Sequence, residues 1–476
     1  MRPKPFLASD MDSSARTIAG TTAYQAPLPP GPRGLPLVGS APFLLRDPIG
    51  FMESCVERYG RIHSLRLGPI RATILHDADA IDHVLVRSGK NYPKSTLGQR
   101  ATAPLLGEGM ATIVDREAWK SSRHAIRPVF LGRLLADYTP HMVRSIARDA
   151  DALLTEGGDG GTVDVYKRVH EMVFRILVGT IFARGIDDGE VEWLAIRFDE
   201  MKGYVNARFL TLGALDWLPL PEILRGKRAM RELDAWVYRL IERRRREGVP
   251  TEGGDVLDIL LAATDLQGRP LAEKSIRDEC MTLLFGGHET TAGSLTWTFA
   301  LLAKNPDKRE KLMAEVDEVL GGRAPAYAEV DRLAYTRMAF EEAMRFYPMW
   351  LVLFRDAAEE DVIGGYRVPK GSLVAFCGYT THRDPRWWPE PERYEPERHT
   401  KEASAGRPRS AWLPFSMGER ACIAARMATH QAVLVLAICS QRWTLDLVEE
   451  LPPPEVRMSI RPKGASLRMR ISKRGR

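Results

Sequence analysis

The sequence predicts a mainly α fold with a minor β region, an α+β arrangement in which helices dominate. Three observations carry that prediction. Val165, Val169, Met172, Val173, Ile176, Leu177 and Thr180 keep a 3-4 spacing that lays an apolar stripe along one helix face. Two uncharged runs, Thr290 to Ala303 and Met427 to Gln441, read as buried helices. Strand-like runs are short, few and bounded by glycine or proline.

Taken in order, residues 1–25 lack periodicity and are expected to be disordered, and residues 26–476 are expected to form a single domain. Pro27 to Pro36 is a stiff, proline-rich lead-in. Arg61 to Leu67 and Ala72 to Leu75 read as strands joined by Gly68-Pro69. Gly364 to Gly371 separates two later strands, the second being Ser372 to Phe376, and these pieces are expected to share one sheet. Ser275-Ile276-Arg277-Asp278 has capping-box form, and no proline follows until Asn305-Pro306. One helix of about 30 residues, roughly 45 Å, is therefore expected there.

Composition narrows the function. With 44% hydrophobic residues over 476 positions the chain has material for a large core, which excludes disordered and fibrous classes. The net charge of +6 is modest, and its densest run, Glu242 to Arg246, reads as a solvated helix face, so no nucleic-acid partner is expected. Five dispersed cysteines without a Cys-x-x-Cys pair argue against structural zinc or a disulfide framework and for a reducing, cytoplasmic setting. The uncharged runs fall short of the roughly 18 residues a membrane span needs, and the charged N-terminal segment offers no anchor.

The centre of the long helix is weak. Phe285-Gly286-Gly287-His288-Glu289-Thr290-Thr291-Ala292-Gly293 contains glycines that each cost about 1 kcal/mol relative to alanine. Close helix packing is one reason for them; a ligand pressed against the backbone is the other. Glu289 and Thr290 favour the ligand, because an acid and an alcohol together in an apolar helix can relay protons. His288 does not complete a His-Glu-x-x-His zinc pattern and reads as a histidine satisfied in place.

The most informative stretch runs from Trp412 to Ala424. Pro414 and Gly418 mark a turn, and Ile423 to Ile438 carries a dense apolar helical pattern, so Cys422 stands near a helix N-terminus, where thiolate is favoured over thiol. Arg420 adds a fixed positive charge suited to a carboxylate. The pattern Phe415-x-x-Gly418-x-Arg420-x-Cys422 resembles the haem-binding signature of the cytochrome P-450 family. Four further stretches resemble that family in order: Trp119-x-x-x-Arg123, Gly286 to Thr291, Glu342-x-x-Arg345, and Tyr394 to Arg398. Ala424 departs from the glycine usual there.

The resemblance implies a triangular helix-rich prism around haem b, with Cys422 as the axial thiolate ligand and dioxygen as co-substrate. It implies that Trp119, Arg123, Arg355 and Arg420 hold the haem propionates, with His382 a weaker candidate, and that Phe415, Gly418, Gly286 and Gly287 border the cofactor. Thr290 and Glu289 would deliver protons, and Glu342, Arg345 and Arg398 would form a structural network behind the haem. Phe209, Leu284, Phe285, Leu351 and Val352, with Ala101 to Met110 and part of Met458 to Leu467, would line a pocket for a lipophilic substrate. Met201 to Pro221 would supply an apolar lid.

The implied activity is monooxygenation of a terpenoid, fatty acid or polyketide-like molecule. No dinucleotide fingerprint is present, so NAD(P)H would act indirectly, through ferredoxin and ferredoxin reductase or flavodoxin. The donor would dock near Lys120, Arg127 and Arg426. A haem-thiolate isomerase or dehydratase, and a non-catalytic haem protein, are the alternatives.

Overall fold

The computed structural model describes residues 26–211, 213, 216–250 and 254–475, excepting the side chains of Arg100, Phe209 and Leu210. The expectation for residues 1–25 lies outside the described residues. The first helices are α1 (Ala41–Arg46), α2 (Pro48–Tyr59), α3 (Ala78–Asp82), α4 (Thr96–Leu106), α5 (Arg116–Ile126) and α6 (Gly132–Gly157). Next come α7 (Val165–Ile181), α8 (Asp188–Thr211), α9 (Pro221–Glu247), α10 (Val256–Ala262) and α11 (Glu273–Lys304). The last are α12 (Pro306–Leu320), α13 (Tyr327–Val330), α14 (Ala334–Phe346), α15 (Gly378–Thr381) and α16 (Ala425–Ser440).

The strands are β1 (Ile62–Leu67), β2 (Ile70–Leu75), β3 (Thr162–Asp164), β4 (Val352–Asp356), β5 (Asp361–Ile363) and β6 (Tyr366–Val368). They continue with β7 (Leu373–Cys377), β8 (Trp443–Leu447), β9 (Pro454–Val456), β10 (Ile460–Pro462) and β11 (Arg468–Lys473). The main sheet has the order β1-β2-β7-β4, so the strands expected at 61–67, 72–75 and 372–376 share one sheet, with β4 added at its edge, whereas the strand before Gly364 is β5 and lies in a separate two-stranded sheet with β6. The segment Gly364 to Gly371 is not only a connection: Gly364 and Gly365, both at positive φ, turn a β5/β6 hairpin inside it. The lead-in is tied down, because the carbonyls of Pro29 and Pro30 accept from the Ser64 hydroxyl and amide at 2.9 and 2.7 Å.

The long helix is present as α11, with 32 residues and thus about 48 Å of axis. It starts at Glu273 with Ala272 as N-cap, so the capping box expected at Ser275 does not form; Asp278 is used elsewhere. α11 is buried along nearly its whole length because α7, α9, α14 and α16 pack around it. The run at 242–246 is not a solvated face throughout. Arg244 is fully buried and holds Asp255 and Asp258 at 2.7 and 2.8 Å, joining the end of α9 to the capping box of α10. A second, smaller core of Leu75, Ile81, Val84, Leu85, Phe376 and Leu413 lies between the main sheet and the cysteine-bearing segment.

Candidate active site

Cys422 precedes α16 by three residues. The turn that presents it closes through the Cys422 amide, which donates to the Phe415 carbonyl at 2.9 Å, and the Ala421 amide, which donates to Gly418. Gly418 sits at φ +75°, and a Cβ there would stand 1.9 Å from the Leu85 carbonyl oxygen. Only glycine meets both demands. Leu85 belongs to a π-helical turn, His83–Arg87, so that turn supports the cysteine loop directly.

Cys422 keeps accessible surface although protein atoms crowd around it, as expected of a residue facing an internal cleft. Burial pushes its thiol up, while the Ala424 amide and Arg123 act the other way. The helix terminus therefore does not by itself make the thiolate dominant, contrary to the expectation from sequence; a coordinated cation would supply the missing charge.

Four cations gather on one side of this loop. The Trp119 ring is approached by two guanidinium groups, Arg420 at 4.1 Å from its centre and Arg123 at 5.3 Å. Arg420 donates to the carbonyls of Ile113 and Val114, and Arg123 to that of Ala421. Arg355 is held down to about 10 by burial. Lys94, bridged to Arg355 through the backbone, is brought to about 8 by burial and by Arg355 and Arg420. Among the described residues none of these four makes an ion pair with a carboxylate. Buried cations that crowd one another call for an anionic ligand.

Above this, the two central glycines of α11 divide the readings offered for them. Gly286 is exposed in the middle of a buried helix, and a Cβ there would meet nothing within 4 Å. Gly287 was expected to border the cofactor as well, but its open side faces α7, where a Cβ would come 2.9 Å from Leu177; helix packing is its role here. Thr290 Oγ1 donates back to the Gly286 carbonyl at 2.6 Å and keeps accessible surface. Glu289 points elsewhere, because consecutive helical residues diverge by about 100°. Its carboxylate accepts from the Ser459 hydroxyl at 2.8 Å and lies 3.6 Å from Lys202 and 3.8 Å from His170. Burial raises its pKa, but His170, Lys202, His288 and Ser459 outweigh that and bring it to about 2. His288 donates through Nε2 to the His170 carbonyl at 3.0 Å and is satisfied in place.

Glu342 and Arg345 form a fully buried bidentate pair with both contacts at 2.9 Å. Arg398 Nε stands 3.5 Å from the same carboxylate. His399, at 3.0 Å, and the Glu395 amide complete the set. Arg345 also donates to the His382 carbonyl, and His382 Nε2 accepts from the Leu413 amide at 2.8 Å. His382 thus connects this network to the segment leading into the cysteine loop, as a turn residue rather than a cofactor ligand.

Leu284, Phe285 and Leu351 are buried and Val352 is half-buried. The side chain of Phe209 lies outside the described residues, as do Leu212 and Leu215 of the expected lid. Trp217 of that lid is 79% exposed and does not close over the interior. The residues that sequence reasoning missed are Lys94, Lys202, His170, Ser459 and His399. A lone lysine in Tyr92-Pro93-Lys94-Ser95 carries no motif, and the partners of Glu289 are remote in sequence.

An accessible cysteine, unpaired cations beside it, and an open glycine and threonine on α11 fit a planar dianionic group that carries a metal. The cytochrome P450 family model matches residues 29–469. The chain belongs to the cytochrome P450 family.

Among similar P450 proteins, cyclooctatin synthase of Streptomyces melanosporofaciens is 32% identical over 91% of this chain and 92% of its own length. Cyclooctat-9-en-7-ol 5-monooxygenase of the same organism is 31% identical over 87% and 88%. The solved structure of retinoic acid-bound cyanobacterial CYP120A1 superposes with a TM-score of 0.84 at 26% identity, covering 94% of this chain and all of that one. The chain is a P450 monooxygenase. Its family carries haem on a thiolate and uses dioxygen. No helix among the described residues is long and apolar enough to cross a membrane.

Proposed function

We propose that this P450 inserts one oxygen atom of dioxygen into a lipophilic terpenoid, using haem b bound through Cys422. The observation that carries the reading is an accessible Cys422 beside cations that, among the described residues, make no ion pair with a carboxylate, together with an open Gly286 and Thr290 on α11. Trp119, Arg123, Arg355, Arg420 and Lys94 would hold the haem carboxylates, Arg through paired hydrogen bonds and Lys94 as a point charge. Bound there, the haem supplies dioxygen activation, which thiolate donation favours.

The chain's own residues manage the protons and the substrate. Thr290 Oγ1 holds a proton on the accessible side of α11. Glu289 connects through Lys202 to exposed Asp199, 2.7 Å from the Lys202 ammonium, which gives protons a route from solvent. Leu284, Phe285, Leu351 and Val352 present apolar surface to the substrate. Names of similar proteins that refer to cyclooctatin and cyclooctat-9-en-7-ol support a terpenoid over a fatty acid or polyketide.

Electrons derive from NAD(P)H through ferredoxin reductase and ferredoxin, or flavodoxin, in the cytoplasm. An acidic donor would approach Arg127, which makes no ion pair among the described residues; Lys120 already pairs with Glu117, and Arg426 donates to the Tyr327 hydroxyl.

The deciding experiment is the carbon monoxide difference spectrum of the dithionite-reduced protein. A strongly red-shifted Soret band, lost in Cys422→Ser, is expected. A band without that shift, or the same band in Cys422→Ser, overturns the assignment of the ligand.

A further inference from the structure

The Glu289 carboxylate is attracted by several groups and hydrogen-bonded by one. Lys202 Nζ at 3.6 Å and His170 Nε2 at 3.8 Å both stand beyond hydrogen-bond distance of its Oε2. The Ser459 hydroxyl donates to Oε1 at 2.8 Å, and among the described residues it is the single hydrogen-bond donor to this side chain. Charges at such range attract without fixing a direction, whereas a hydrogen bond weakens steeply off its line. Ser459 therefore decides which way the carboxylate is turned.

The hydroxyl is delivered by a backbone that has little freedom. Ser459 is 4% exposed and belongs to the turn, residues 457–459, that joins β9 to β10; its carbonyl accepts from the Arg457 amide at 3.0 Å. Before it, the Met458 amide donates to Asn206 Oδ1 of α8 at 3.1 Å. After it, the Ile460 amide donates to the Met349 carbonyl at 3.1 Å, and the Ile460 carbonyl accepts from the Trp297 indole of α11 at 2.9 Å. Met458, Ser459 and Ile460 are thus tied in turn to α8, to α11 at Glu289, and to α11 again about two helical turns further on. Satisfying a buried acid requires only a donor. A donor held on three sides also aims the acid. With Oε1 on Ser459, Oε2 is left facing Lys202, whose ammonium stands 2.7 Å from exposed Asp199.

We propose that Ser459 is a positioning residue for the oxygenation: its hydrogen bond to Oε1 fixes Glu289 with Oε2 toward Lys202, and so sets the rate at which protons reach the site. The inference deepens the proton route given above and rests on the haem-thiolate reading. Ser459 keeps its own proton throughout. The proton that moves passes from the Lys202 ammonium to the Glu289 carboxylate, and Lys202 is recharged from solvent beside Asp199. Without the Ser459 hydroxyl, Glu289 spreads over its staggered side-chain positions and spends less time in the one that receives the proton. The shell of the acid remains, because Lys202, His170 and His288 are untouched by the change.

The test uses the holoprotein as wild type, Ser459→Ala, Ser459→Thr, Glu289→Gln and the double variant Ser459→Ala with Glu289→Gln. Each is photoreduced, mixed with dioxygen in a stopped flow and supplied with excess reduced ferredoxin; the return of the ferric spectrum is timed in H2O and in D2O, with no substrate added. Ser459→Ala should bind as much haem as the wild type, return about tenfold more slowly and show a larger solvent isotope effect. Ser459→Thr keeps the hydroxyl and should recover most of the rate. In the Glu289→Gln background, loss of the Ser459 hydroxyl should change the rate by less than about twofold, because a residue that acts through Glu289 has nothing left to position. An unchanged rate and isotope effect in Ser459→Ala, or an equal loss with and without Glu289, overturns the proposal while the wild-type carbon monoxide spectrum still upholds the haem reading. Absence of that red-shifted band from the wild type overturns the haem reading and this inference together.

Discussion

Glu289 and Thr290 show how much a single helical step decides. They are neighbours in the same turn of α11, yet the threonine faces accessible space while the buried acid faces Lys202, His170 and Ser459. Removing the Thr290 hydroxyl should therefore leave the acid cluster intact. In Thr290→Ala we expect haem content to be unchanged and the yield of oxygenated product per electron to fall about tenfold, with hydrogen peroxide rising to match. Thr290→Ser should restore much of the coupling. Unaltered coupling in Thr290→Ala would remove Thr290 from the proton path. At this scale Cys422, Arg420, Glu342 and Arg345 were legible from sequence because fixed spacings mark them. Lys94 and His399 were not, because their roles come only from which distant charges surround them.

The decisive element is the cysteine loop with the π-helical turn beneath it. Gly418 combines a left-handed backbone with a 1.9 Å approach of its would-be Cβ to the Leu85 carbonyl. The left-handed conformation alone costs an L-residue about 1–2 kcal/mol, and the neighbouring atom is backbone, which cannot rotate aside. Gly418→Ala should consequently displace the loop, and the protein should purify with well under half its haem and a weakened red-shifted carbon monoxide band. Full haem occupancy with the wild-type spectrum would contradict this account. The same element-level logic explains the glycines of α11: one opens the site and the other packs on Leu177, a division that helix propensity does not reveal.

Across the whole molecule, the buried histidines set the response to acid. Burial lowers the pKa of His63, His76, His170, His288, His382 and His430, with His382 reaching about 3 and His430 about 4. The unfolded chain binds these protons below about pH 6.5 while the folded chain does not, so stability falls as pH falls through that range. Between about pH 6.5 and 5, His382 and His430 each account for on the order of 2 kcal/mol. Glu279 works in the opposite sense, since its raised value makes the folded state gain stability as pH falls from about 7, but it is one group against several. The thermal unfolding midpoint should therefore drop clearly between neutrality and about pH 5. A flat or rising midpoint would mean that these imidazoles are charged or hydrated in the folded state.

By itself the sequence determined the helix-dominated class, the long helix with its weakened centre, and the turn that presents Cys422. Those features are local: periodicity, glycine placement and short spacings survive without knowledge of neighbours. Tertiary structure alone decided where Glu289 points, that Arg244 is a buried joint between α9 and α10, and that Lys94 joins a cluster of cations without a carboxylate. It also decided that Asp278 and Glu279 grip the loop before α5 instead of capping α11. In each case the deciding term is electrostatic desolvation, which depends on every element packed around a charge and so leaves no pattern along the chain.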